Sequence, residues 1–157
     1  MDLFEEYLNK KGKSKWVDRA LKDNSYRNVD HSLNRQDINR DLATYGDGVI
    51  KLCYLELMLD KESKLTIEKS KVESDEYLVD TIARHYELLK YIETDLNNKD
   101  LKRNYDFIKP SKTEGGNKKD SPHKYIATAV EAMIGAIFKE INELKPIIEL
   151  LDSWRNI

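Results

Sequence analysis

The apolar residues of this chain fall into runs with helical spacing rather than strand alternation, so the pattern predicts helices throughout. Residues 2–22 read as one or two short amphipathic helices. Leu3, Phe4, Tyr7 and Leu8 anchor the first part, Trp16, Val17, Ala20 and Leu21 the second, and KKGKSK (10–15) breaks them. Residues 23–35, rich in Asn and Asp, read as a loop. The run INRDLATYGDGVIKLCYLELML (38–59) is too long for a strand and dense in apolar residues, which predicts a buried central helix. A shorter helix is expected at 65–72. Another follows a Ser74 or Asp75 cap, with Leu78, Val79, Ile82, Ala83, Tyr86 and Leu89 on one face. Residues 97–123, punctuated by Pro110, Gly115, Gly116 and Pro122, read as an exposed loop. YIATAVEAMIGAIFKE (125–140) predicts a second buried helix. Pro146 opens a last one docked by Ile147, Ile148, Leu150, Leu151 and Trp154. The expected fold class is all-α.

Composition narrows the class without naming a function. The 157 residues suit one domain with a real core, and 39% hydrophobic against 36% charged residues indicates a globular body with a heavily charged surface. Apolar stretches are interrupted by charges within a few residues, so no membrane span is expected. The start, MDLFEEYLNKKGK, lacks the apolar segment of a signal peptide, and a cytoplasmic protein is the plain reading. A single cysteine, Cys53, excludes an internal disulfide and a cysteine-based zinc site. It reads as a core residue. His31, His85 and His123 are scattered singly and read as surface residues. Net charge is −2, but it is unevenly spread. Residues 99–124 hold eight basic and four acidic residues, a segment of +4 against −6 elsewhere. A basic loop on an acidic body is where a polyanion would land, and the bland alternative is a solvated loop.

Two acids stand where acids are costly. Asp47 lies inside the central helix with Ala43, Thr44, Ile50 and Lys51 three or four positions away. Asp is a poor interior helix residue, and burying it ionised is expensive. Glu131 shares a helical face with Ala127, Ile134, Gly135 and Phe138. A divalent cation between two such carboxylates would compensate both, since hard cations prefer carboxylate oxygen. Gly46, Gly48 and Gly135 cost helix stability of about 1 kcal/mol each relative to Ala, and small residues there would let the two helices cross closely. The pattern leaves open that each acid is instead salt-bridged to a nearby Lys or Arg.

The motifs carry a resemblance. NRDLATYGDGVI (39–50) resembles the ribonuclease III signature Asn-Glu-Arg-Leu-Glu-Phe-Leu-Gly-Asp-(small)-(aliphatic)-Leu, with Asn39, Leu42, Gly46, Asp47, Val49 and Ile50 in agreement. LTIEKSKVESDEYLVDTIAR (65–84) is similar to that family's middle helices, and VEAMIGAIF (130–138) to its second acidic motif. The resemblance spans roughly residues 36–155, with three motifs in order. It implies a ribonuclease III-like catalytic domain at 36–157, and leaves outside it an N-terminal helical extension at 1–35 of open role, the two expected to pack as one unit. Arg40, Ala43 and Thr128 stand where full-length ribonucleases III carry further acids, and the chain stops where a double-stranded-RNA-binding domain would begin. That pattern looks like the Mini-III branch, which matures ribosomal RNA in bacteria and keeps one Asp and one Glu as its metal pair.

The resemblance therefore implies a metal-dependent endoribonuclease that cleaves double-stranded RNA. Asp47 and Glu131 would be both its metal ligands and its catalytic residues, and magnesium its ion, with manganese as a substitute. A cation so held would supply activated water for in-line attack on a bridging phosphate. Asp41 and Glu62 are candidates for outer-shell waters, though both read more simply as surface acids. Cutting both strands implies a homodimer, with the face around Thr44 and Tyr45 a candidate interface or, equally, part of the monomer core. Lys109, Lys112, Lys118 and Lys119 in the basic loop are the candidate RNA-binding residues, gripping phosphates without reading sequence. The alternative function is a catalytically inactive ribonuclease III fold serving RNA binding or ribosome assembly. A helical nucleotide pyrophosphohydrolase would need acids repeated at helical spacing, which neither core helix has.

Overall fold

The structure, a computed structural model, describes residues 1–60, 77–96 and 124–157. Its helices are α1 (Leu3–Leu8), α2 (Lys15–Ala20), α3 (Arg40–Asp60), the π-helical α4 (Leu78–Ala83), α5 (Lys124–Ile141) and α6 (Lys145–Trp154). Three 3-10 turns, Asn24–Asn28, Arg35–Asp37 and Leu88–Lys90, join them. The fold is all-α; among the described residues β pairing is confined to one parallel bridge between Lys22 and Glu93. The expected helix at 65–72, the Ser74 and Asp75 caps and the loop at 97–123 lie outside the described residues.

Helix α5 is the axis of the molecule. From Ile126 to Ile137 every residue is buried except Thr128 and Glu131, three apart and so on one face. A helix apolar nearly all round must be enclosed. Helix α3 makes the most extensive contact with it, and α2 and α4 complete the enclosure. The start of α3 is set by Asn39, which is buried. Its side-chain Nδ2 donates to the Ala20 carbonyl at 3.0 Å and its backbone N–H to the Lys22 carbonyl at 2.9 Å. Its own carbonyl accepts from Ala43 N–H at 2.8 Å.

The first residues belong to the same core. Phe4, Tyr7, Leu8, Val17, Ala20 and Leu21 are buried with residues of α3 and α5 in one cluster. Phe4 packs on Tyr86 and Trp154, at centroid distances of 4.5 and 5.5 Å. The Trp154 indole donates to the Tyr86 hydroxyl at 2.8 Å, and that hydroxyl donates to Asp2. Gly12, in the break between α1 and α2, has φ +85, a conformation glycine adopts at little cost. After α4 the register departs from expectation: Leu88, not Leu89, is fully buried. Glu87 takes a left-handed conformation (φ 51), which ends the helix and turns the following residues by a step.

Candidate active site at the crossing of α3 and α5

The two core helices touch backbone to backbone. A Cβ on Gly46 would meet the Glu131 carbonyl carbon at 2.7 Å and the Gly135 nitrogen at 2.9 Å. One on Gly135 would meet the Leu42 carbonyl oxygen at 2.7 Å. These two glycines therefore act as expected. Gly48 does not: nothing lies within 4 Å of where its Cβ would be, because it points away from α5. The crossing sets Asp47, next to Gly46, beside the turn of α5 that carries Glu131.

Asp47 differs from a buried, uncompensated acid. About a third of its side chain is exposed, and Lys51 Nζ lies 2.8 Å from its Oδ2, one turn on. It sits on the margin of α3, between buried Ala43 and Ile50 and exposed Thr44 and Lys51. The ion pair that the pattern left open is thus present. Glu131 is half-buried on one of the two openings in the apolar surface of α5. The other, Thr128, donates its hydroxyl to the Lys124 carbonyl at 2.7 Å. Among the described residues no group of three or more His, Cys, Asp or Glu side chains gathers.

Other expected residues fall as follows. Asp41 is exposed and bound by Arg35 through two contacts of 3.0 and 2.8 Å, which holds its carboxyl below the usual range. Glu62, Lys109, Lys112, Lys118 and Lys119 lie outside the described residues. Tyr45 is 37% exposed, lies 6.1 Å from the Phe138 ring and has Lys139 Nζ over its face at 4.8 Å. Cys53 is buried, and burial pushes its thiol up to about 12, helped by Glu56. His31 and His85 are exposed.

Sequence reasoning missed a cleft of about 870 Å³ that opens at the N-terminal ends of α3 and α5. Arg27, His31, Arg40, Lys124, Tyr125 and Thr128 are among its lining residues. One clue was available: Arg40 and Lys124 each stand seven residues, two helical turns, ahead of the acid on their own helix. No local pattern could bring in Arg27, which arrives through the 3-10 turn at Asn24–Asn28.

Residues 40–141, well over half of the chain, match the Ribonuclease III domain family. The chain belongs to that family. It is an endoribonuclease domain of a family that acts on double-stranded RNA. Two solved structures of the nuclease domain of ribonuclease III from Campylobacter jejuni share its fold. One superposes with a TM-score of 0.59 at 20% identity, covering 96% of this chain and 87% of that one. The other, described for flexibility in a region involved in dimer formation of that domain, gives 0.58 at 20% identity, covering 96% and 90%. No curated protein sequence matches the chain. Among the described residues no helix is long and apolar enough to cross a membrane.

Proposed function

We propose that this ribonuclease III domain cleaves double-stranded RNA with a magnesium ion, or manganese in its place, held by Asp47 and Glu131. The observation that carries the reading is the backbone contact of Gly46 with Glu131, which puts two carboxylate-bearing turns side by side. Donor chemistry fits a hard cation, because both groups offer carboxylate oxygen, and the ion would take the place of the Lys51 ammonium now seated against Asp47. When bound, the ion would supply activated water and stabilise charge on the phosphate. The chain's own part is to hold the two carboxylates on rigid helices. Ala43 on α3, and Ala127 and Ile134 on α5, three or four positions from the acids, are buried and fix those turns in the core. A chelator test checks this: purified protein should cut duplex RNA with magnesium, spare single strands, and stop when EDTA is added.

The Mini-III-like substitutions Arg40, Ala43 and Thr128 further suggest a role in maturing ribosomal or other structured RNA in the cytoplasm. Lys109, Lys112, Lys118 and Lys119 are assigned to gripping the RNA backbone, on the charge contrast of their segment. A homodimer would present two centres to one duplex. Tyr45, Leu52, Leu55 and Leu59 support it, since these large apolar side chains are exposed at 37–82% and spaced by seven, three and four along α3. That near-heptad stripe is what a second copy of the helix would cover. The second reading, a fold that binds RNA without cutting it, draws on Arg40, Ala43 and Thr128 standing where the family carries further acids. Duplex binding with no magnesium-dependent product would select it.

A further inference from the structure

We infer that the cleft at the N-terminal ends of α3 and α5 is a subsite for an RNA backbone phosphate, gripped by Arg27, Arg40 and Lys124. The inference rests on the double-stranded RNA reading above and adds a place for the strand to one side of the acid pair. Three cations line the cleft against one carboxylate, Asp23. That carboxylate is turned to the backbone, accepting from Ser25 N–H at 3.0 Å as the cap of the 3-10 turn. Asp41, next to Arg40 in the chain, is taken by Arg35, and Asp95 accepts from Asn28.

The cations themselves are uncommitted. Lys11, Arg35, Lys51, Lys90 and Arg155 each sit against a carboxylate. Among the described residues the side chains of Arg27, Arg40 and Lys124 make no ion pair and no hydrogen bond. On a chain of net charge −2, three cations without an ion pair around one open cleft, against the single carboxylate of Asp23, concentrate a field of the sign a phosphate needs. The neutral polar groups there are mostly occupied. Asn28 donates to Asp95, Asn39 to Ala20 and Thr128 to Lys124. Tyr125 differs: burial, with the negative charge of Asp23, pushes its phenol up to about 12, so it stays protonated and able to donate to a phosphate oxygen.

Position argues for the RNA strand rather than a free anion. Arg40 and Lys124 are two turns, about 10 Å along each helix, from Asp47 and Glu131, on the same faces. A strand whose phosphate lay at the acid pair would pass the cleft with a neighbouring one. Contacts of this kind fix the register of the duplex and are blind to base sequence.

The test measures equilibrium binding of a labelled RNA duplex to the full chain in EDTA over a range of salt. Wild type is compared with Arg27→Ala/Arg40→Ala/Lys124→Ala and with the charge-keeping Arg27→Lys/Arg40→Lys. The triple variant should bind at least tenfold more weakly at low salt. Its slope of log affinity against log salt should flatten by roughly 0.7 to 0.9 per lost contact, borrowing the values for single strands and B-DNA. The lysine variant should keep most of the slope. Equal loss for every duplex sequence is expected. If wild type binds and the triple variant keeps its affinity and slope, the cleft is not a phosphate subsite while the functional reading stands. If wild type shows no salt-dependent duplex binding, both fall. Should the triple variant fail to fold, the single Arg40→Gln replaces it, and an unchanged slope there overturns the inference equally.

Discussion

Asp47 has a small structural role and a large chemical one, and the two can be separated. Its pair with Lys51 is an exposed i,i+4 contact, worth about 0.3–0.5 kcal/mol at most. Asp47→Asn should therefore shift the urea midpoint by well under 1 kcal/mol of stability. A loss of several kcal/mol would mean the carboxylate is a structural group. Much of this was legible before the fold was known: the acid inside an apolar run, and a lysine at the spacing that reaches it. Its degree of burial was not legible. Residue 47 falls on the margin of the buried face of α3, where a shift of a few tens of degrees decides between core and surface. Glu131 was read more securely, because α5 is enclosed on nearly every side and an acid there has few places to sit.

At the scale of elements, one crossing decides the geometry of the site. Gly46→Ala drives a methyl into the Glu131 carbonyl and the Gly135 amide, backbone that cannot rotate away. Overpacking usually costs 1–3 kcal/mol, and this contact belongs at or above about 3 kcal/mol. Gly48→Ala meets open space and should instead stabilise by roughly 1 kcal/mol, the helix preference of Ala over Gly. Chemical denaturation of the two variants checks the contrast, and equal effects would mean the helices cross elsewhere. Long apolar runs made α3 and α5 readable to within two residues. The 3-10 turns at Asn24–Asn28 and Arg35–Asp37 were not, since they rest on Asp23 and Asn34 side-chain caps rather than on apolar periodicity. Leu89 was expected on the buried face where Leu88 stands, because Glu87 adopts a left-handed conformation without the Gly or Asn that would announce it.

For the whole molecule, the buried ionisable groups set an alkaline limit. Burial raises Tyr77, Tyr86, Tyr125 and Cys53 above their ordinary values of 10.0 and 9.0, the last two to about 12. The unfolded chain therefore loses these protons first, so their contribution is fully present below about pH 9 and lost as pH rises towards 12. Urea midpoints should be insensitive to these groups below pH 8 and fall steadily above pH 9; a flat profile to pH 11 would contradict the burial. Assembly is tested by sedimentation. Wild type should run as a dimer of the 18.4 kDa chain, and Leu52→Glu/Leu55→Glu as a monomer. A wild-type monomer that still cuts both strands would refute the paired centres. The central claim is met most directly by the cleavage rate of an RNA duplex as magnesium is added, for wild type, Asp47→Asn and Glu131→Gln, each with its unfolding curve. The expected result is magnesium-dependent turnover in wild type and a loss of roughly a thousandfold or more in both folded variants, since a catalytic ion supplies several kcal/mol and each 1.36 kcal/mol is tenfold. Near wild-type rates in either variant, with its unfolding curve unchanged, would contradict it.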